Sequence, residues 1–493
     1  MNITREITSK IKNEKYLVGG AVRDFLLKRP VKDLDLAVLC GEKEIKKIAF
    51  RTARALKGTC FPLDEGRGVW RITLRSSGLN LDISPVSGNL TEDLSARDFT
   101  VNAMALPFAE LKSLKTAKGA FLLSLDKKKI VDPSGGGKDL QKKLIRASGK
   151  NVFREDPLRM LRAFRFASSL GFEIEKDTFK LIKEESPRIK ESAGERIKEE
   201  LLAIFASGRS ASFYEEMRNS GLLFSLFPEL KLQEKCAEIY YGKGGVLKHT
   251  FNVMKRMDLL FSRPGKFISK YEGLNIRPAG EKLLKLAALF HDIAKPHKAK
   301  EINGRLRFFG HEEYGAFLAG RLMRGYKFSN EETRFVTKII AQHLRVGNIA
   351  HNDVISDKAI YKIFSDLGEY AIPLLLLSWA DHASYIPEKK LLASAAAMKQ
   401  KPFRIPPRGL PKTGFKKTLR FIQVVNYLIR YYFEKRSKFR QENLLDGHQV
   451  MKALELKPGP AVGEVLRRVK LMQFEGKLKN RKQALKYIKT LKV

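Results

Sequence analysis

The chain has 493 residues, 43% of them hydrophobic, and sets 94 Lys and Arg against 54 Asp and Glu for a net charge of +40. That length predicts three or four domains, and so large a positive excess suits a polyanionic partner, RNA or DNA, better than a small neutral ligand. No apolar run approaches the ~20 residues that span a bilayer, no signal-peptide core stands at the N-terminus, and Cys40, Cys60 and Cys236 form no metal or disulfide pattern, so a cytoplasmic protein with no membrane partner is expected.

Residues 16–36 read YLVGGAVRDFLLKRPVKDLDL. The pattern predicts a strand over 16–18, a turn at Gly19 and Gly20, a helical segment carrying Arg23 and Asp24, and a second strand with Asp33 and Asp35. Positions i and i+2 of a strand share a face, so the two carboxylates project together. At about 4 Å, like charges repel by roughly 4 kcal/mol at an effective dielectric of 20, and paired hard oxygen ligands suit Mg²⁺. The glycines let the backbone approach a phosphate, and the next helix N-terminus favours anions. A phosphate cradle beside a metal-binding acid pair is the equipment of nucleotidyl transfer.

A helix over 42–55 and strands over 69–74 and 79–84 follow, and the second strand, LNLDIS, carries Asp82. A carboxylate on a neighbouring strand is the natural third ligand of a two-metal site. Residues 94–105, LSARDFTVNAMA, read as a helix start with Asp98 or Thr100 as N-cap. In 131–146, VDPSGGGKDLQKKLIR, the glycines make a turn into a helix, with Asp132 and Asp139 as supports. Residues 153–166, FREDPLRMLRAFRF, read as one amphipathic helix. Leu158, Leu161 and Phe164 form its apolar ridge, and Glu155, Asp156, Arg159 and Arg162 lie opposite, where i, i+3 pairs form helix salt bridges. The helix ERIKEELLAIF follows at 195–205, its Glu195 and Arg196 read as bracing.

These segments, in this order, resemble the five head-and-neck motifs of the bacterial class II tRNA nucleotidyltransferase / poly(A) polymerase family. GGAVRD with DLDLA is the closest match. The resemblance implies an α/β nucleotidyltransferase head (a mixed sheet with helices) over 1–146 and an all-α neck over 147–230. It further implies Asp33, Asp35 and Asp82 as catalytic acids holding Mg²⁺, and Gly19, Gly20, Arg23 and Asp24 at the triphosphate. Arg97, Asp98 and Asn102 would contact sugar and phosphates. Asp156 and Arg159, with Arg162 on the same face, would read the base of CTP or ATP. Two departures stand out. Ala96 occupies a position where relatives carry a basic residue. Only about fifteen residues separate Asp82 from Arg97, where relatives that build a whole CCA end carry a longer loop and CC-adding relatives a shorter one. CCA, CC alone, A alone or a poly(A) tail therefore all stay open as products on tRNA or RNA.

A second constellation begins at His249 (HTFNVMKRM) and continues through His291 and Asp292 (LLKLAALFHDIAKP) to Asp381 (LLLLSWAD), with His311 and His343 between. It resembles the HD metal-dependent phosphohydrolase superfamily, which implies an all-α domain over 231–395. His249, His291, Asp292 and Asp381 would be core ligands, and His311 and His343 would extend the site to two metals. Imidazole and carboxylate ligands suit Mn, Ni, Fe or Mg. Residues 396–493 read as a basic linker and a helical tail resembling the family's tRNA-binding arm, with Arg467, Arg468 and Lys470 on a basic helix. A reading from another class also stands: an HD phosphohydrolase whose head serves as an RNA-binding module. The sequence is silent on oligomeric state.

Overall fold

The computed structural model describes residues 3–491 except 76, 87, 118, 271–273, 275–277, 408, 412 and 440. Among the sequence expectations, the 396–417 linker and the segment after Asp82 include such positions, 408 with 412 and 87 respectively. The chain divides into two compact units, residues 1–204 with 217–226, and 205–216 with 227–493.

The first unit is built on a six-stranded sheet: β1 (Lys15–Val18), β2 (Asp33–Val38), β3 (Gly58–Asp64), β4 (Val69–Leu74), β5 (Asn80–Pro85) and β6 (Ala105–Pro107). Their order is β3-β4-β5-β2-β1-β6. Only β2 and β5 run parallel, and all other neighbours are antiparallel. A parallel pair needs a crossover; here the chain passes through the helix Glu42–Ala55 and the hairpin β3–β4 before returning as β5. In β2, Leu34, Leu36 and Val38 are buried while Asp33 is exposed and Asp35 half-buried. That alternation fixes the register, because a one-residue slip would exchange the two faces. The register puts Asp35 level with Asp82 and Asp33 level with Asn80.

The stretch read as one helix over 153–166 is two, Val152–Glu155 and Leu158–Leu170, broken at Asp156. Pro157 disfavours helical backbone in the residue before it, and Asp156 is extended at φ −147°, ψ 99°. The ridge of Leu158, Leu161 and Phe164 is buried as expected, and the helix ends at Gly171 with φ 72°. Within the helical neck, Leu144–Ile145 and Glu173–Ile174 form a short parallel pair.

The second unit is helical apart from the hairpin Lys300–Ile302 with Arg305–Arg307. Its central helices are Gly245–Ser262, Pro278–Phe290, His311–Gly325, Asn330–Gln342 and Ala371–Ala383. One stretch among the described residues, Asp357–Ala383, is apolar and long enough to qualify for crossing a membrane by composition, and 67% of the 18-residue window that qualifies is buried inside the fold. Helix Phe415–Glu434 is buried on all sides through Arg420–Asn426 and is followed by Gly447–Leu454, Pro460–Phe474 and Arg481–Ile488. The last three enclose a small core of Val450, Val465, Val469 and Ile488.

Candidate active sites

In the head, Gly19 takes φ 65°, ψ −130°, a conformation closed to side-chain-bearing residues. A Cβ there would lie 3.2 Å from Asp35 Oδ2 and 3.2 Å from Arg97 Nη1. The glycine therefore lets backbone, acid and guanidinium converge at one point. Asp33 accepts a 2.9 Å hydrogen bond from Asn80 Nδ2. Asp82 is held at both oxygens by Arg71, at 2.8 and 2.7 Å. Among the described residues, the Asp35 carboxylate accepts no hydrogen bond. Burial, then the charges of Asp82 and Asp33, push its pKa up to about 6 against the opposing Arg97 and Arg23. An oxygen-only acid pair with this excess of negative charge fits a hard divalent cation.

A continuous polar network runs from the head into the neck. Arg23 is 9% exposed, clasps Asp24 at 2.9 and 3.0 Å, and donates to Asn102 Oδ1 at 2.6 Å. Asn102 donates to Asp98 Oδ1 at 3.0 Å, and Arg162 donates twice to Asp98 Oδ2 at 2.9 and 2.7 Å. Burial opposes the charge of Asp98, but Arg162 and the Asn102 hydrogen bond outweigh it and lower its pKa. Neither Asp98 nor Thr100 caps a helix. The helix Leu90–Ser95 is capped by Asn89 and Glu92, and residues 100–102 form one 3₁₀ turn behind Phe99. The Asp98 side chain is turned instead to Asn102 and Arg162.

Arg97 pairs with Asp93 at 3.0 Å. Asp156 and Arg159, expected as a pair, have separate partners. Asp156 accepts from Leu158 N at 3.1 Å and from Arg196 Nη2 at 3.0 Å. Arg159 reaches Glu155 at 2.9 Å and the Ala96 carbonyl at 3.2 Å. Asp132 and Asp139 are structural in their contacts. Asp132 accepts from the backbone of Gly136 and Gly137, and Asp139 accepts from Thr100 and Arg146. Arg71, Arg196 and Glu200 escaped the sequence reading as site residues. Arg71 had a signal in its outward position on VWRITL, one strand from Asp82. Glu200, which bonds Arg165 at 2.5 Å and lies 3.9 Å from Arg162, had none, because a Glu in a helix reads as surface.

In the second unit, all six expected ligands converge. His249 Nε2 lies 3.1 Å from Asp381 Oδ1 and 3.7 Å from Asp292 Oδ2, and His291 Nε2 lies 3.2 Å from Asp292 Oδ2. On the other side of Asp292, Oδ1 is 3.4 Å from His311 Nε2 and 3.7 Å from His343 Nε2. Asp292 thus joins two ligand triads, His249–His291–Asp292 and Asp292–His311–His343. His291, His311 and His343 each direct Nδ1 at a backbone carbonyl three residues back, at 2.8, 2.6 and 2.7 Å. A carbonyl can only accept, so Nδ1 carries the proton and Nε2 keeps its lone pair, the arrangement metal-binding histidines use. His291 Nε2 and Asp292 Oδ1 are buried without a hydrogen-bond partner, which is the chemistry a divalent metal would satisfy. Burial lowers His343 to a pKa of about 4, keeping it neutral. Burial opposes the charge of Asp292, but His291 and Lys295 outweigh it and hold that carboxyl well below the usual range. Lys295, unmarked in the sequence reading, donates to Asp292 Oδ2 at 2.6 Å and to the Tyr241 hydroxyl at 2.9 Å.

A mixed-sheet head with a paired-acid cleft, a helical neck and a helical His/Asp centre define a nucleotidyltransferase joined to an HD domain. Family models agree in the same order: "Poly A polymerase head domain" over 15–146, "Probable RNA and SrmB-binding site of polymerase A" over 171–233, and "HD domain" over 246–386. The A-adding tRNA nucleotidyltransferase of Deinococcus radiodurans is 28% identical, covering 92% of this chain and 89% of that protein. The CC-adding tRNA nucleotidyltransferase of Thermus thermophilus is also 28% identical, covering 96% and 93%. Among solved structures, the Thermotoga maritima CCA-adding enzyme complexed with tRNA shares the fold with a TM-score of 0.60 at 18% identity, covering 99% of this chain and 93% of that one. Head, RNA-binding and HD models thus match this chain in the order that its tRNA nucleotidyltransferase relatives suggest, and the chain is a nucleotidyltransferase.

Proposed function

We propose that the protein extends the 3′ end of tRNA without a nucleic-acid template, adding C, A or both from CTP and ATP. The observation that carries this reading is the level placement of Asp35 and Asp82 on parallel strands, with Asp33 beside them and the Gly19 backbone against Asp35. Asp33 and Asp35 would hold Mg²⁺, and Asp82 joins them when Arg71 releases it. Bound there, Mg²⁺ supplies charge neutralisation for the triphosphate and a lowered pKa for the attacking hydroxyl. The tRNA 3′-hydroxyl attacks the α-phosphorus in line, the bond to the bridging oxygen breaks, and pyrophosphate leaves. Gly19 and Gly20 admit the triphosphate to the acids, and Arg23, Arg97 and the Asp98–Asn102 pair order its sugar and phosphates. On the neck, Asp156 accepts from the exocyclic amine of C or A while Arg159 donates to the ring acceptors. A base that leaves these buried groups unpaired is rejected.

A CC-only product is the second reading. The segment between Asp82 and Arg97 is occupied by the end of β5 and the capped helix Leu90–Ser95, which leaves no room for a long loop that re-forms the site for A. Purified protein, given tRNA ending at the discriminator base, at C and at CC with labelled CTP or ATP, tests both. The reading predicts incorporation of at least one of the two. Addition of A onto tRNA-CC removes the CC-only reading, and no incorporation on any of the three removes the proposal.

The HD centre we read as a working phosphohydrolase. His249, His291, Asp292 and Asp381, with His311 and His343, would hold Mn, Ni, Fe or Mg ions, which activate water and polarise a phosphate ester. Loss of metal-dependent phosphatase activity in His291→Ala is the expected result.

A further inference from the structure

A cavity of about 790 Å³ opens on the HD centre, with Asp381 and His343 on its wall. That volume is in the range of small-ligand sites. The opposite wall comes from residues 413–421, beyond the 246–386 segment matched by the HD family model. It is a fixed wall. Arg420, 1% exposed, donates to the carbonyls of Asn352 and Asp353 at 2.8 and 3.0 Å, and to that of Phe403. Gln423 donates to Ala397 O at 3.0 Å and Asn426 to Phe267 O at 3.1 Å. Buried side chains at 420 and 426 of helix Phe415–Glu434 are tied to backbone carbonyls of the 246–386 segment, and those at 420 and 423 to carbonyls of Phe403 and Ala397 just beyond it.

The lining has a definite chemistry. Phe415 and Tyr385 offer aromatic surface, Tyr385 being 54% exposed. Lys390 stands 4.2 Å from the Phe415 ring centre, and Lys417 stands 6.0 Å from that of Phe421. Among the described residues, Asp381, one of the six expected ligands, is the only carboxylate on the lining. Aromatic faces beside lysines suit a base carrying an anionic group.

We propose that Phe415 and Lys417 make this cavity selective for a nucleoside carrying two phosphates, one presented to the HD centre and one held by Lys417 with Lys390. A free nucleoside bisphosphate and the last nucleotide of an RNA with a phosphorylated 3′ end share that chemistry. The inference rests on the phosphohydrolase reading for its biological use, but the binding it describes is measured separately.

The test is calorimetric titration of the full chain in an Asp35→Ala, Asp156→Ala background, which disables the head. The probes are adenosine 3′,5′-bisphosphate, inorganic phosphate, and a short RNA ending in a 3′-phosphate. Phe415→Leu and Lys417→Gln should each weaken bisphosphate binding about tenfold, with inorganic phosphate changed less than twofold and the melting temperature retained. Parallel losses for the RNA would assign the site to RNA ends, and losses confined to the free nucleotide would assign it to mononucleotides. Bisphosphate affinity changed less than twofold in both variants, or equal loss for inorganic phosphate, overturns the proposal. Selective binding without hydrolysis of any phosphate ester would sink the phosphohydrolase reading and leave the pocket standing. Hydrolysis without Phe415 or Lys417 dependence would do the reverse.

Discussion

At the scale of single residues, Asp35 carries a conflict between folding and chemistry. Its pKa of about 6, against an ordinary 3.8, means that the folded chain keeps a proton there that the unfolded chain releases. Asp35 therefore contributes stability that is full below about pH 4 and is lost as the pH rises through about 6. In Mg²⁺-free buffer, Asp35→Asn should melt higher than wild type at pH 8 and equally at pH 4, read by differential scanning calorimetry. A variant that melts lower at pH 8 would contradict the charge argument. Arg71 is the internal counter-charge of the same cleft. Arg71→Ala leaves Asp82 without its partner and should cost about 1–3 kcal/mol, seen as a lower melting temperature that Mg²⁺ restores more fully than it stabilises wild type. Equal Mg²⁺ shifts in both proteins would separate Arg71 from the metal cleft.

At the scale of elements, the two-by-two alternation of β2 and the Gly-Gly turn before Arg23 were open to sequence reading because strand period and glycine conformation are local. The break at Asp156 was also local, since Pro157 announces it; the apolar ridge of Leu158, Leu161 and Phe164 lies wholly after the break and therefore gave no sign of it. Partner choice was not legible. Arg196 looked like bracing because it stands forty residues from Asp156, and only the packing of the neck helices brings them to 3.0 Å. Under the proposed function, that contact makes Arg196 a positioning residue for the carboxylate that would read the base. Arg196→Ala should lower the preference for CTP over UTP, measured as a ratio of kcat/KM, by about tenfold, with Arg196→Lys recovering part of it. An unchanged ratio with reduced stability would return Arg196 to bracing alone. The six ligands of the HD centre were readable for another reason, their residue types and spacing: His249 lies one turn into Gly245–Ser262, His291 and Asp292 follow Pro278–Phe290, His311 begins its helix, and His343 and Asp381 stand at or near the ends of theirs.

At the scale of the whole molecule, the chain joins a nucleotidyltransferase head to a domain with a His/Asp cluster, and its +40 charge suits a polyanionic partner. In the proposed function the paired acids perform the head's reaction, and the neck and the short segment after Asp82 would decide the product. Those decisions depend on which partners the side chains find, which is why the product stayed open in the sequence. The central claim is that Asp33 and Asp35 make this a working nucleotidyltransferase rather than an RNA-binding module attached to an HD domain. Single-turnover incorporation of labelled CTP or ATP into 3′-truncated tRNA, with Mg²⁺, compares wild type with the isosteric Asp35→Asn. The account predicts incorporation by wild type and a loss of about a thousandfold in the variant, with tRNA affinity unchanged. Incorporation retained within tenfold in Asp35→Asn would contradict it.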